Sequence, residues 1–133
     1  MIDIEKLQAV RSIVTHDSCA DGLVSAILLK DAYPTMGQGH IPIKFVQYGT
    51  VEHKSLAAEP GMLFVDFSPP PERVQEFVDA GAIVLDHHKT ARGVVEAFGD
   101  DGVFGDEVAD PGVCGAVLAY VHVWEPQIGR AHV

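Results

Sequence analysis

The sequence predicts a doubly wound α/β fold, a mostly parallel sheet flanked by helices on both faces. Short β-branched or aliphatic runs recur along the chain, and segments with helical start and stop signals follow them. The runs are continuously apolar, as in strands covered on both faces, where a half-exposed sheet would alternate. A length of 133 residues suits one domain with one core and is too short for two of ordinary size.

Ile2, Ile4, Leu7 and Val10 stand at near-helical spacing and predict a short helix over residues 1–10. Ser12-Ile13-Val14-Thr15 is a compact strand, followed by the polar turn His16 to Ala20 and a helix from Asp21 to about Tyr33, closed by Pro34. The segment from Ile41 to Val46 predicts a second strand. Met62 to Asp66 predicts a third, opened by the Pro60-Gly61 turn signal. Pro69 to Pro71 start a helix that runs to about Ala80 and ends at Gly81, because a proline in the first turn lacks an N–H that would be unsatisfied there anyway. Ala82 to Leu85 form a fourth strand, and a helix from Thr90 to Phe98 follows. Gly99 to Gly102 read as an exposed loop, and Asp110-Pro111 as the cap and first turn of a helix over Val113 to Trp124.

Charge and composition exclude several classes of function. A formal charge of −10 opposes sequence-independent attraction to long duplex nucleic acid. No apolar run approaches the roughly 20 residues of a membrane span, and MIDIEKLQAV lacks the basic start and apolar stretch of a secretory signal, so the expected compartment is the cytoplasm. Cys19 and Cys114 are expected as reduced thiols, since a chain so rich in aliphatic residues needs no disulfide staple.

In open α/β sheets functional groups gather outside the carboxyl ends of the strands. The strongest polar clusters fall at such ends: His16 to Asp21 after the first strand, Asp66 at the end of the third, and Asp86-His87-His88 at the end of the fourth. Aspartates and histidines converging from separate strands suit two divalent ions. Such a pair, roughly 3.5–4 Å apart, neutralises phosphoryl charge and activates water. Mixed carboxylate and imidazole ligands favour manganese, iron or zinc over calcium.

Thr15-His16-Asp17-Ser18-Cys19-Ala20-Asp21-Gly22, Phe64-Val65-Asp66-Phe67-Ser68, Val84 to Ala91 and Gly112-Val113-Cys114-Gly115-Ala116 resemble successive motifs of the DHH phosphoesterase superfamily. That superfamily includes RecJ-type exonucleases, oligoribonucleases, cyclic-dinucleotide phosphodiesterases and some inorganic pyrophosphatases. The resemblance runs from about residue 11 to residue 124. It implies hydrolysis of a phosphodiester or phosphoanhydride of a small nucleotide or short oligonucleotide by two metal ions, with Mn²⁺ as the expected ion. Carried over position by position, it makes Asp66 the metal bridge and His16, Asp21 and His87 terminal ligands. His88 faces the substrate phosphate. Asp86 is either a ligand or the acceptor that fixes an imidazole tautomer, and Lys89 and Arg92 are candidates for attracting the anionic substrate.

Three departures accompany the resemblance. Many relatives carry an aspartate where this chain has Cys19, which is then a soft thiolate ligand or a lining residue; lining is the preferred reading, free cysteine being so often a small buried hydrophobe. Cys114 replaces a frequent serine and is expected to be structural. Relatives also supply a further aspartate and a second domain beyond the glycine-rich helix. The expectation is therefore that residues 1–133 are the N-terminal catalytic part of a longer two-domain protein, the alternative being a natural short form without the further motif, and self-association through an uncovered apolar face is an open option.

The rival reading is a binding module that retains metal or nucleotide without turnover. A nucleotide-binding domain of the flavodoxin type is weaker, since His16 to Gly22 holds only one glycine. The remaining polar residues have simpler assignments: Asp17 to turn chemistry, Asp110 to a helix cap, His40, His53, His122 and His132 to surface or loop positions, and Tyr120 with Trp124 to the core.

Overall fold

Apolar side chains on both faces of the strands require a helical layer on each side, and the chain supplies both. A computed structural model describes residues 2–17, 19–35 and 39–129, which leaves His132 and Ser18 outside the described residues. The elements are α1 (Ile4–Gln8), β1 (Ser12–His16), α2 (Ala20–Thr35), β2 (Ile43–Val46), α3 (Val51–Lys54), β3 (Met62–Val65), α4 (Val74–Asp79), β4 (Ile83–Asp86), α5 (Arg92–Glu96), β5 (Gly102–Phe104) and α6 (Gly115–Ala119). A wider π-type helix, Tyr120–Gly129, continues α6.

The five strands form one sheet in the order β2-β1-β3-β4-β5, and every pairing is parallel. The fold is thus the expected doubly wound α/β architecture. Strand order reverses between β1 and β3, where Thr15 lies beside Val65, so the crevice of such sheets falls at the ends of these two strands.

Alternation along each strand sorts the core into two layers. Ile13, Leu63, Val65, Ile83 and Leu85 pack with Leu7 of α1, Leu29 and Tyr33 of α2, Leu118 and Ala119 of α6 and Val123. Val14, Met62, Phe64 and Val84 pack on the other side with Phe77 of α4 and Val94 and Val95 of α5. Among the described residues, no helix is long and apolar enough to cross a membrane.

Several local expectations change. Helix α2 runs one residue past Pro34, a shift of the size that helix ends commonly show. The helix expected from Pro69 begins as a 3₁₀ turn, Pro71–Arg73, and Gly81 follows its end at φ 79. The expected loop at Gly99 to Gly102 is a 3₁₀ turn leading directly into β5, a strand too short to announce itself. The single turn α3 is also new, capped by the Thr50 hydroxyl, which accepts from the His53 N–H. Tyr120 and Trp124 stack at 5.1 Å on the outer face of the helix, Tyr120 being 43% exposed, so this pair lies outside the core.

Leu63, fully buried between the layers, should lose about 2–5 kcal/mol of stability as Leu63→Ala, whereas Val51→Ala at an 83% exposed position should stay within about 0.5 kcal/mol; urea unfolding of both variants tests the assignment of core and surface.

Candidate metal centre

The site is built where β1, β3 and β4 end side by side. Asp66 directly follows β3 and turns the chain with φ 56, the left-handed region that only a minority of non-glycine residues enter, aspartate among the more frequent. Its N–H remains tied to the Leu85 carbonyl at 2.8 Å, and its side chain is completely buried. A Cβ at Gly115 would lie 2.5 Å from the Asp66 Cβ, so only glycine lets α6 seat against this carboxylate.

Asp21 fastens α6 in place. Its carboxylate accepts the N–H groups of Gly115 and Ala116 at 2.7 and 2.6 Å, so the first donors of α6 are satisfied by a residue at the start of α2. Asp110, expected as the cap of this helix, caps a preceding turn instead, accepting from the Gly112 N–H at 3.2 Å, because the helix starts later than its proline suggested. Burial works against ionisation of Asp21, and the Ala116 and Gly115 N–H groups outweigh it, holding its carboxyl below the ordinary range.

Three carboxylates surround the His87 ring. Nε2 lies 2.9 Å from Asp66 Oδ1 and 3.1 Å from Asp21 Oδ2, and Nδ1 lies 2.7 Å from Glu107 Oε1. Burial disfavours a charge here, and the hydrogen bonds to Glu107 and Asp66 overcome it, raising His87 above the usual histidine value. For Asp66, burial and the neighbouring charge of Asp21 push the carboxyl up to about 6. A hydrogen bond between the two side chains adds to the rise, so the pair repels unless a proton or a metal cation lies between them.

Asp86 is saturated with donors. Oδ2 accepts the hydroxyls of Tyr48 and Ser68, both at 2.7 Å. Oδ1 accepts His88 Nδ1–H at 2.6 Å and the N–H groups of His87 and His88 at 2.8 and 3.3 Å. Tyr48 Oη in turn accepts the Ser68 N–H at 2.9 Å. Burial raises Asp86, but its hydrogen bonds with His88 and Ser68 prevail and keep it low; the same bond to Asp86 raises His88.

Opposite this satisfied group lie two unsatisfied atoms. Asp66 Oδ2 and His16 Nδ1 are buried without a hydrogen-bond partner among the described residues and face each other at 3.9 Å, too far for a bond between them. Burial, then the positive charge of His88, pushes His16 down, so its ring favours the neutral form able to donate a lone pair. Two sets of ligand atoms, each within 4.8 Å of one another, could hold a metal ion: His16, Cys19 and Asp66 in one, and Asp66, Asp86, His87 and His88 in the other. Asp66 belongs to both. An orphaned buried carboxylate oxygen facing a neutral imidazole fits a divalent ion well.

The structure thus brings His16, Cys19, Asp21, Asp66, Asp86, His87 and His88 together. Lys89, exposed just past the triplet, lines with His87 and Glu107 a neighbouring cavity of about 220 Å³. The Arg92 guanidinium pairs with Glu96 at 3.0 Å and Asp106 at 3.4 Å on that cavity's outer rim. Asp17 is exposed, its N–H extending the β1 ladder to the Val46 carbonyl. His53, expected at the surface, is buried: Nδ1 accepts the Gly49 N–H and Nε2 bonds the Ser68 carbonyl, placing it behind the Tyr48–Ser68 pair. Tyr48 and Glu107 stand on loops that carry no motif, so no sequence signal points to them, whereas Ser68 closes the Phe64 to Ser68 motif two residues after Asp66.

Comparison of the chain with protein-family models, curated proteins and solved structures finds no match.

Because Asp66 titrates higher in the folded chain than in the unfolded one, its contribution is fully present below the unfolded carboxyl value and is lost as pH rises through about 6. Asp66→Asn, which mimics the protonated acid, should therefore gain stability relative to the metal-free parent between about pH 4 and 7. Thermal unfolding in chelator across that range checks it; a pH-independent difference between the two would show that Asp66 is not raised.

Proposed function

We propose that this chain is the catalytic part of a metal-dependent phosphoesterase of the DHH superfamily. Its proposed reaction is hydrolysis of a phosphodiester or phosphoanhydride of a small nucleotide or short oligonucleotide. The observation that carries this reading is the pair of buried, unpartnered atoms, Asp66 Oδ2 and His16 Nδ1, at the point where strand order reverses. Asp66, with one oxygen toward His16 and the other toward His87, would bridge two ions, His16 completing one position and Asp21 with His87 the other. Divalent ions there, with Mn²⁺ the first to try, would neutralise phosphoryl charge and acidify water enough for attack near neutral pH.

The chain's own groups supply orientation and proton control. With two donors on one oxygen of Asp86 and three on the other, which leaves no lone pair free, we read it as the group that orients His88 rather than as a ligand. Its hydrogen bond fixes Nδ1–H of His88 inward and leaves Nε2 for the substrate side, where a protonated ring would donate to a phosphoryl oxygen. Tyr48 and Ser68 hold Asp86 from behind. A net charge of −10 argues against a long duplex as substrate.

Calorimetric titration of the metal-free chain with Mn²⁺ near pH 7.5 should show two sites, and the loaded protein should hydrolyse bis(p-nitrophenyl) phosphate. One site without turnover would favour the binding-module reading. In Asp66→Asn the second site should disappear; unchanged stoichiometry would remove Asp66 as a bridge. Tyr48→Phe should retain both ions while turnover falls about 10–100-fold, the range seen when a group supporting a ligand or catalytic side chain is removed.

A further inference from the structure

Resting on the reading of this cluster as a metal centre, we infer that Cys19 is a thiolate ligand of the ion held between His16 and Asp66, giving that half of the centre a preference for zinc or cobalt over manganese. The two halves then differ in kind. The His16 side offers nitrogen, oxygen and sulfur, and the His87 side nitrogen and oxygen only.

Position is the first support. The Cys19 sulfur, a His16 nitrogen and an Asp66 oxygen lie within 4.8 Å of one another, close enough to reach a common ion whose bonds are about 2.0–2.3 Å long. Cys19 immediately precedes α2, and its carbonyl accepts the Leu23 N–H at 3.0 Å, so the first helical turn fixes where the thiol starts from.

The unpartnered atoms are the second, independent support. Asp66 is fully buried, and among the described residues its Oδ2 has no hydrogen-bond partner; His16 Nδ1 beside it has none either. These two atoms mark where an ion would sit, and Cys19, which lines the cleft with His16, Ala20, Leu23 and Phe45, places a third donor beside them. Ligation of one ion by all three accounts for them together. Cys114, the other free thiol, belongs to neither ligand set.

The chemistry balances simply. On ion binding the thiol loses its proton to solvent, a sulfur–metal bond forms, and one positive charge of the ion is neutralised. Thiolate is the softest donor in the cluster, and soft donors favour zinc and cobalt, whereas carboxylate and imidazole alone accept manganese readily.

The test is an anaerobic titration of the chain with Co²⁺ in a non-thiol reductant, followed by absorption and calorimetry. A near-ultraviolet sulfur-to-cobalt charge-transfer band should grow with the first ion and survive in Cys114→Ser. It should vanish in Cys19→Ser, whose serine keeps a good residue at the head of the helix, and in Cys19→Asp, which should still bind Co²⁺ through oxygen. In Cys19→Asp the competition between Zn²⁺ and Mn²⁺ should move toward Mn²⁺. Heat of Co²⁺ binding without the band, or a band that persists in Cys19→Ser, overturns the role of Cys19 and leaves the metal centre standing. Absence of Co²⁺ and Zn²⁺ binding in every variant overturns the metal centre and this inference with it.

Discussion

A carboxylate oxygen shut away from water without a donor is among the costlier groups a fold can carry, and Asp66 carries one at the ends of three parallel strands. Much around it is explained by that single requirement. The left-handed backbone at Asp66 aims the carboxylate, the bare Cα of Gly115 lets α6 close against its other oxygen, and the imidazole of His16 faces the free one, which no donor among the described residues reaches. Strain of this kind, of order 1–3 kcal/mol at one residue, persists only when the surroundings determine it, and here two strands and a helix do so.

Behind that oxygen the polar groups are arranged in the opposite manner. Asp86, equally buried, has a donor for each lone pair, and the shell extends through Ser68 to His53. A fully satisfied network holds its members rigid, while a half-satisfied group invites a ligand. The contrast between two aspartates at the ends of adjacent strands separates the scaffold of the site from the part that would take an ion.

The architecture was legible because its signals are local: continuous apolar runs, proline at helix starts and glycine at helix ends. The fifth strand escaped because Gly102-Val103-Phe104 is three residues long and is defined by its partner β4, which no local pattern reports. The cluster was legible for a related reason, since its members sit at strand ends that the pattern locates. Tyr48, Glu107 and the buried His53 were not, because each acts through a contact with a residue far along the chain. The capping of α6 was misread likewise: Asp110 stands next to a proline and looks like a cap, whereas the groups that need capping are met by Asp21 from another element.

That last arrangement bears on how the protein comes to exist. Asp21 and Gly115 are separated by 94 residues of sequence, yet each settles the other's hydrogen bonding. The carboxylate cannot be held in place until the segment that carries α6 has been made and has docked, and contacts so distant in sequence are slow to close. During synthesis, therefore, a nascent chain would display the acidic and imidazole groups of the earlier strand ends before α6 is there to order them.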